Sequence, residues 1–384
     1  MEGKELMERE CSPKCRISIV RRASTSTSNK GHSTYRRSAL MRVPRSFLVV
    51  SISAVILAAC GPNYSAATPP STKSSVTIGY LNLGADPQAL VEARDWFSKY
   101  MHLPVNMREF PSGPAALPAL ASGSVQIMTG LGNPPVATAI MRHIPVKVVW
   151  VQERYTADEG LVVPKRSPIH NMKQLSGATI ATVLGSTSTL ALSAGLRQSG
   201  ISPASVHLVN MTPPEMQAAW ATGHITAAYT WDPFFDYMVQ HGGRVLMTDG
   251  SVSRTTPIFN LAVANSRWAA AHRSIMVDFV KAEEAGVHAY RTSPKQAVVS
   301  MARVASISTT LAQREISGYQ LYDLASQTSA LGMGNGPTQP TSLVVKGLTL
   351  AARQLQSSTG TSGPLPNMAD AVDPSFAVEA MSGK

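Results

Sequence analysis

From Val76 onward, short runs rich in β-branched residues alternate with stretches of helical spacing, and this alternation limits the fold more than any other feature. Val76 to Tyr80 predicts a strand. Asp86-Pro87 follows, an N-cap residue with a proline suited to the first helical position. Leu90, Ala93, Trp96/Phe97 and Tyr100 then recur at helical spacing. Val105 to Arg108 predicts a second strand, and Ser112-Gly113-Pro114 opens a helix that Gly123 closes. Val125 to Met128 and Val146 to Val151 read as strands, with a helix starting at Asn133-Pro134-Pro135 between them. The pattern resumes with strands at Leu161 to Val163, Ala178 to Thr182, Val206 to Val209, Ile225 to Thr230, Val245 to Met247 and Phe259 to Ala264. After these, Arg267 to Thr292 and most of 308–357 read as helix.

Repeating β-α units imply parallel sheets covered by helices. Two such units, crossing near Val163 and returning near Asn260, predict an α/β protein of two lobes with a cleft between them. Residues 76–163 plus 257–357 are assigned to lobe I and 164–256 to lobe II. The Gly/Ser/Thr/Pro-rich tail, 358–384, is expected to be loosely ordered. In open parallel sheets, ligands sit beyond the carboxyl ends of the strands. That places 81–86, 110–113, 132–134, 154–159, 185–188 and 230–232 around one site.

Charge and cysteine content narrow the function classes. The net charge of +11 is concentrated early: residues 1–45 hold eleven of the 34 Lys/Arg and four of the 23 Asp/Glu. The body is only mildly basic and has no Lys/Arg stripe interleaved with aromatics, so nucleic acid is disfavoured. Cys11, Cys15 and Cys60 are the only cysteines, too few for a disulfide scaffold. The one apolar run, Phe47 to Ala59, is short for a membrane span. Preceded by Met41-Arg42-Val43-Pro44-Arg45 and followed by Leu57-Ala58-Ala59-Cys60-Gly61, it reads as an export signal over 41–59. Residues 1–40 do not fit this plan; translation is expected to begin at Met41. Residues 60–75, rich in Pro, Ser, Thr and Ala, read as a flexible tether.

The segment ending in Cys60 resembles the bacterial lipobox, which implies cleavage before Cys60 and its acylation, hence a lipid anchor to the membrane on the periplasmic or extracytoplasmic face of the bacterial cell envelope. The body is similar to the substrate-binding proteins of taurine/sulfonate/nitrate ABC importers, the taurine-binding branch above all. The resemblance runs from Val76 to Tyr322. Ser112-Gly113 leads into a helix that ends Ala119-Leu120-Ala121-Ser122-Gly123, and Leu131-Gly132-Asn133-Pro134-Pro135 follows. Asp158-Glu159-Gly160-Leu161-Val162-Val163, Gly185-Ser186-Thr187-Ser188 and Ala227-Ala228-Tyr229-Thr230-Trp231-Asp232-Pro233 complete it. It implies a type II periplasmic-binding-protein fold: two α/β lobes, two hinge crossings and a ligand caught between them. One departure is Pro134, which lacks a backbone N–H where the family often has Ser or Thr.

The resemblance also implies a ligand: taurine or a related small sulfonate, delivered to an ABC permease and ATPase by a monomer without cofactor or metal. A sulfonate is best held by backbone N–H groups and hydroxyls at helix N-termini. Gly185, Ser186, Thr187 and Ser188 offer these, Ser112 and Gly113 repeat the device in the other lobe, and Asn133 could add its amide. An ammonium calls for a carboxylate or an aromatic face. Asp232 beside Trp231, then Glu159, are the candidates, with Asn260 at the return crossing. Each also has a plainer reading: Asp232 and the Ser/Thr cluster as helix caps, Glu159 as a loop charge. The rivals are a receptor for an alkanesulfonate, nitrate or a pyrimidine precursor, and an enzyme of the pyrimidine-precursor synthase type on the same architecture. The enzyme reading lacks an internal cysteine and any His cluster, lipase-type serine or zinc-protease motif.

Overall fold

A computed structural model of the chain describes residues 75–383; the export signal, Cys60 and nearly all of the tether lie outside the described residues. Two sheets organise it. The first uses β1 (Val76–Leu81), β2 (Val105–Phe110), β3 (Ile127–Gly132) and β4 (Val146–Tyr155). The chain then crosses to the second sheet, built from β5 (Glu159–Pro164), β6 (Thr179–Thr182), β7 (His207–Asn210), β8 (Ala228–Trp231) and β9 (Gly243–Thr248). It returns to the first through β10 (Phe259–Asn265) and β11 (Tyr319–Leu321). The orders are β11-β4-β10-β3-β1-β2 and β7-β6-β8-β5-β9.

Each sheet is parallel except where the chain arrives from the other lobe. β10 runs antiparallel to both β3 and β4, and β5 runs antiparallel to both β8 and β9. The cause is geometric. β4 ends at the lobe boundary, so the next strand must enter the second sheet from its cleft edge and run outward, against strands that end there. β10 repeats this in reverse. The short edge strand β11 is a further antiparallel addition beside β4. The crossing therefore lies at 156–158, ahead of Val163, because Glu159 already pairs with Trp231 of the second sheet.

Local signals act as their chemistry dictates. Asp86 caps the helix Pro87–Ala93 by accepting from Ala89 N–H at 2.7 Å. Gly123 ends the helix Gly113–Ser122 at φ 73°, a conformation side chains disfavour. The helix expected to run on to Tyr100 is instead two short ones, broken at Asp95, which takes φ 52°. β3 and β10 are buried along their whole length and form the centre of the first lobe's core. The tail is also folded, contrary to its composition. Met368–Ala371 and Ser375–Ser382 are helical, Phe376 and Ala377 are buried, and Asp373 N–H donates to Val148 O at 2.9 Å. A few apolar side chains landing on the first lobe suffice to order it. Among the described residues no helix is long and apolar enough to cross a membrane.

Candidate functional site

A small cavity lies where the two sheets meet. Leu81, Gly113, Gly130, Gly132, Tyr155 and Asn260 line it from the first lobe, and Ser186, Thr187 and Trp231 from the second. Its volume is about 10 Å³, roughly what a single water needs. The lobes are thus closed on each other, and a ligand of several heavy atoms enters only when they part. Gly132 marks how close they come: a Cβ there would press into Thr187 Cγ2 across the boundary.

The Gly185–Ser188 turn leads into the helix Thr187–Gln198. Its hydroxyls face inward. Ser186 Oγ donates to Val183 O at 2.7 Å, Thr187 Oγ1 donates to Glu159 Oε1 at 3.0 Å, and Ser188 Oγ donates to the same oxygen. No side chain caps this helix, so its leading N–H groups carry the turn's capacity for an anion. Ser186 and Thr187 border the cavity directly. Ser112 heads the opposing helix and is likewise without a side-chain cap bond.

Glu159 is a buried member of the second lobe and no loop charge. Burial raises its pKa, against hydrogen bonds from Asp249, Ser188 and Thr187. Asp249 is pushed well up, by burial and then by the neighbouring Glu159. Tyr229 Oη donates to the other side of Asp249 at 2.6 Å. The two hydroxyl bonds to Glu159 brace the anion-facing turn from behind. Asn133 does not offer its amide to the cavity. Its Nδ2 donates to Pro257 O at 3.1 Å and its Oδ1 accepts from Phe259 N–H at 2.7 Å, tying the helix Asn133–Met141 to the returning strand. Asn260 borders the cavity but commits its Nδ2 to Glu153 at 2.5 Å.

Asp232 is wholly buried and both its oxygens are used. Oδ1 accepts from Asp236 N–H at 2.9 Å, the capping geometry, while Oδ2 accepts from Arg314 Nη2 at 2.9 Å. Burial pushes its carboxyl up to about 7 even with Arg314 pulling the other way. Two groups here went unremarked in the sequence. Arg314 lies in a late helix whose spacing gives no hint of a partner 82 residues away. Asp158 was visible only as part of a motif; both its oxygens are buried without a hydrogen-bond partner, and its pKa is driven well up by burial, then by Asp232 and Glu159. Tyr319, beside Tyr155 at 5.7 Å, holds the corner by donating to Leu83 O at 3.2 Å.

The family model that matches covers residues 69–303 and is described as NMT1-like. The chain belongs to the NMT1-like family. This family member is 33% identical over 221 residues to the taurine-binding periplasmic protein of Escherichia coli, an alignment spanning 57% of this chain and 68% of the relative. A putative aliphatic sulfonates-binding protein of the same organism is 29% identical over 193 residues, covering 50% of this chain and 60% of that one. Among solved structures, the alkanesulfonate-binding protein SsuA of Xanthomonas axonopodis pv. citri, bound to MOPS, aligns with a TM-score of 0.64 at 20% identity, over 80% of this chain and 99% of that one. The fold of this NMT1-like chain is therefore the two-lobed periplasmic-binding-protein type. The curated relatives it matches are named as binding proteins.

Proposed function

We propose that this chain is the extracytoplasmic receptor of an ABC importer and that it closes on a small sulfonate, with taurine the preferred ligand. The observation that carries this is the cavity shared by both lobes, with the uncapped start of the Thr187 helix in one wall. An oxyanion there meets oriented N–H groups while a hydroxyl-to-Glu159 network holds the turn rigid. The preference for an amine-bearing sulfonate rests on the acids at the crossing. Among the described residues Asp158 has no cation partner, and an ammonium would relieve a buried carboxyl with two unused oxygens. Relatives named for taurine and aliphatic sulfonates support the ligand class. Acylation at Cys60 would keep the receptor at the membrane, where the permease and ATPase take up its cargo.

The test is a thermal-shift panel of taurine, ethanesulfonate, nitrate and aminopyrimidines on the purified protein. Taurine is expected to raise the melting temperature most, and Asp158→Asn or Asp232→Asn to cut that shift more than the one from ethanesulfonate. No shift with any sulfonate removes the ligand class. Palmitate labelling that persists in Cys60→Ser removes the anchor.

A further inference from the structure

Arg314 is the one described cation in ion-pair contact with the buried acids of the second lobe's Asp232–Asp236 corner. It sits on the helix Thr309–Ser317, which belongs to the first lobe. The neighbouring Glu315 accepts Ala85 N–H at 2.8 Å, and β11, which follows, pairs with β4. The helix also rests on the pivot: Gly318 O, just past its end, accepts the N–H groups of Thr156 at 2.9 Å and Ala157 at 3.1 Å. From there Arg314 reaches across. Its Nη2 is 2.9 Å from Asp232, and its Nε lies 2.9 Å from Asp236 Oδ1, a charge contact without hydrogen-bond alignment. Asp236 is on the helix Phe234–Gln240, which packs on β5, β8 and β9 of the second lobe.

We infer that Arg314 is an affinity-determining residue: its guanidinium supplies the counter-charge that lets Asp232 and Asp236 be buried when the lobes close, and so favours the closed form for any ligand. A buried carboxylate without its partner is strongly unfavourable, whereas the same groups in water cost little apart. On this proposal both sides of the contact return to solvent when the lobes separate. The contact thus acts on the closed state alone, which is the condition for shifting the opening equilibrium. Arg314 is no core residue, since its side chain is 39% exposed. The inference relies on the sulfonate reading for its probe ligand, but the contact stands apart from it.

The experiment titrates ethanesulfonate and taurine calorimetrically into the wild-type protein, Arg314→Gln and Arg314→Lys at low and high salt, and follows hydrogen exchange of the ligand-free proteins over 155–160. Arg314→Gln is expected to weaken ethanesulfonate at least tenfold, Arg314→Lys to recover part, and high salt to narrow the gap between wild type and Arg314→Gln. Exchange at Thr156 and Ala157 is expected to quicken in Arg314→Gln without ligand. Affinities within twofold of wild type, or a loss that salt does not touch, overturn the inference. If no sulfonate binds the wild type, the ligand proposal falls and the exchange measurement alone decides: unchanged exchange overturns the inference. Should Arg314→Gln fail to fold, Asp236→Asn takes its place, with about a threefold weakening expected and none fatal to the idea.

Discussion

Arg314 and Gln354 both reach from the first lobe to the second, but they do so with different chemistry. Gln354, on the helix Leu343–Thr359, donates through Nε2 to Thr189 O at 2.9 Å and to Ser193 Oγ at 2.8 Å, on the helix that starts at the anion-facing turn. Arg314 makes its contact at the pivot, with two carboxylates. A neutral amide exchanges water for protein hydrogen bonds at small net gain. A charged contact carries more energy but only where water is excluded, and it responds to salt and pH. The difference teaches that the charged clasp is the adjustable one and the neutral clasp a fixed guide.

The largest effect that could break this picture comes from neither clasp but from the surface between them. Gly132→Ala places a methyl group against Thr187, whose hydroxyl is tied to Glu159 and so cannot swing away. Sulfonate affinity should fall on the order of 100-fold while the melting temperature stays within about 2 °C, since the open lobes do not feel the clash. Calorimetry with parallel thermal melts checks it; a joint loss of both would point to a folding defect and remove the closed-lobe argument.

The pH dependence sharpens the charged side. Asp86 and Asp232 are pushed up to about 7, and Glu315 to about 8, each chiefly by burial. Their folded pKa values lie above the unfolded ones, so folding is favoured by the proton. That stability is full below the unfolded values and is lost as pH rises through 7 to 8. The melting temperature should drop by several degrees, roughly 4–8 °C, between pH 5 and pH 8.5. Arg314→Gln should steepen the fall, because Asp232 then ionises without help. A flat profile over that range would mean these acids do not carry the burial cost assigned to them.

The smallest expected effect belongs to the neutral clasp. Gln354→Ala should weaken sulfonate binding about threefold, near 0.5–1 kcal/mol, with the same ratio at low and high salt. A salt-dependent loss there would erase the contrast between the two contacts.

Much of this architecture was legible in the residues. The β-α alternation, the Asp86 cap and the Gly123 stop are local matters, decided by backbone conformation and nearest neighbours. So was the approach of Ser186 and Thr187 to Gly113, Gly132 and Trp231, because strand ends in a parallel sheet face one edge. The tail was misread because composition averages over positions, and a handful of buried side chains, Phe376 among them, decided its order.

What the sequence by itself determined is therefore which strand ends and turns approach the lobe boundary: period and turn chemistry act over a few positions and place strand ends without reference to the rest of the chain. Tertiary structure alone decided what those residues do there. It turned the amide of Asn133 into a strut, joined Glu159 to the hydroxyls of Thr187 and Ser188, and brought Arg314 to Asp232. The physical reason is that the state of a buried polar group depends on the partners that packing delivers to it, and those come from parts of the chain that no local pattern connects.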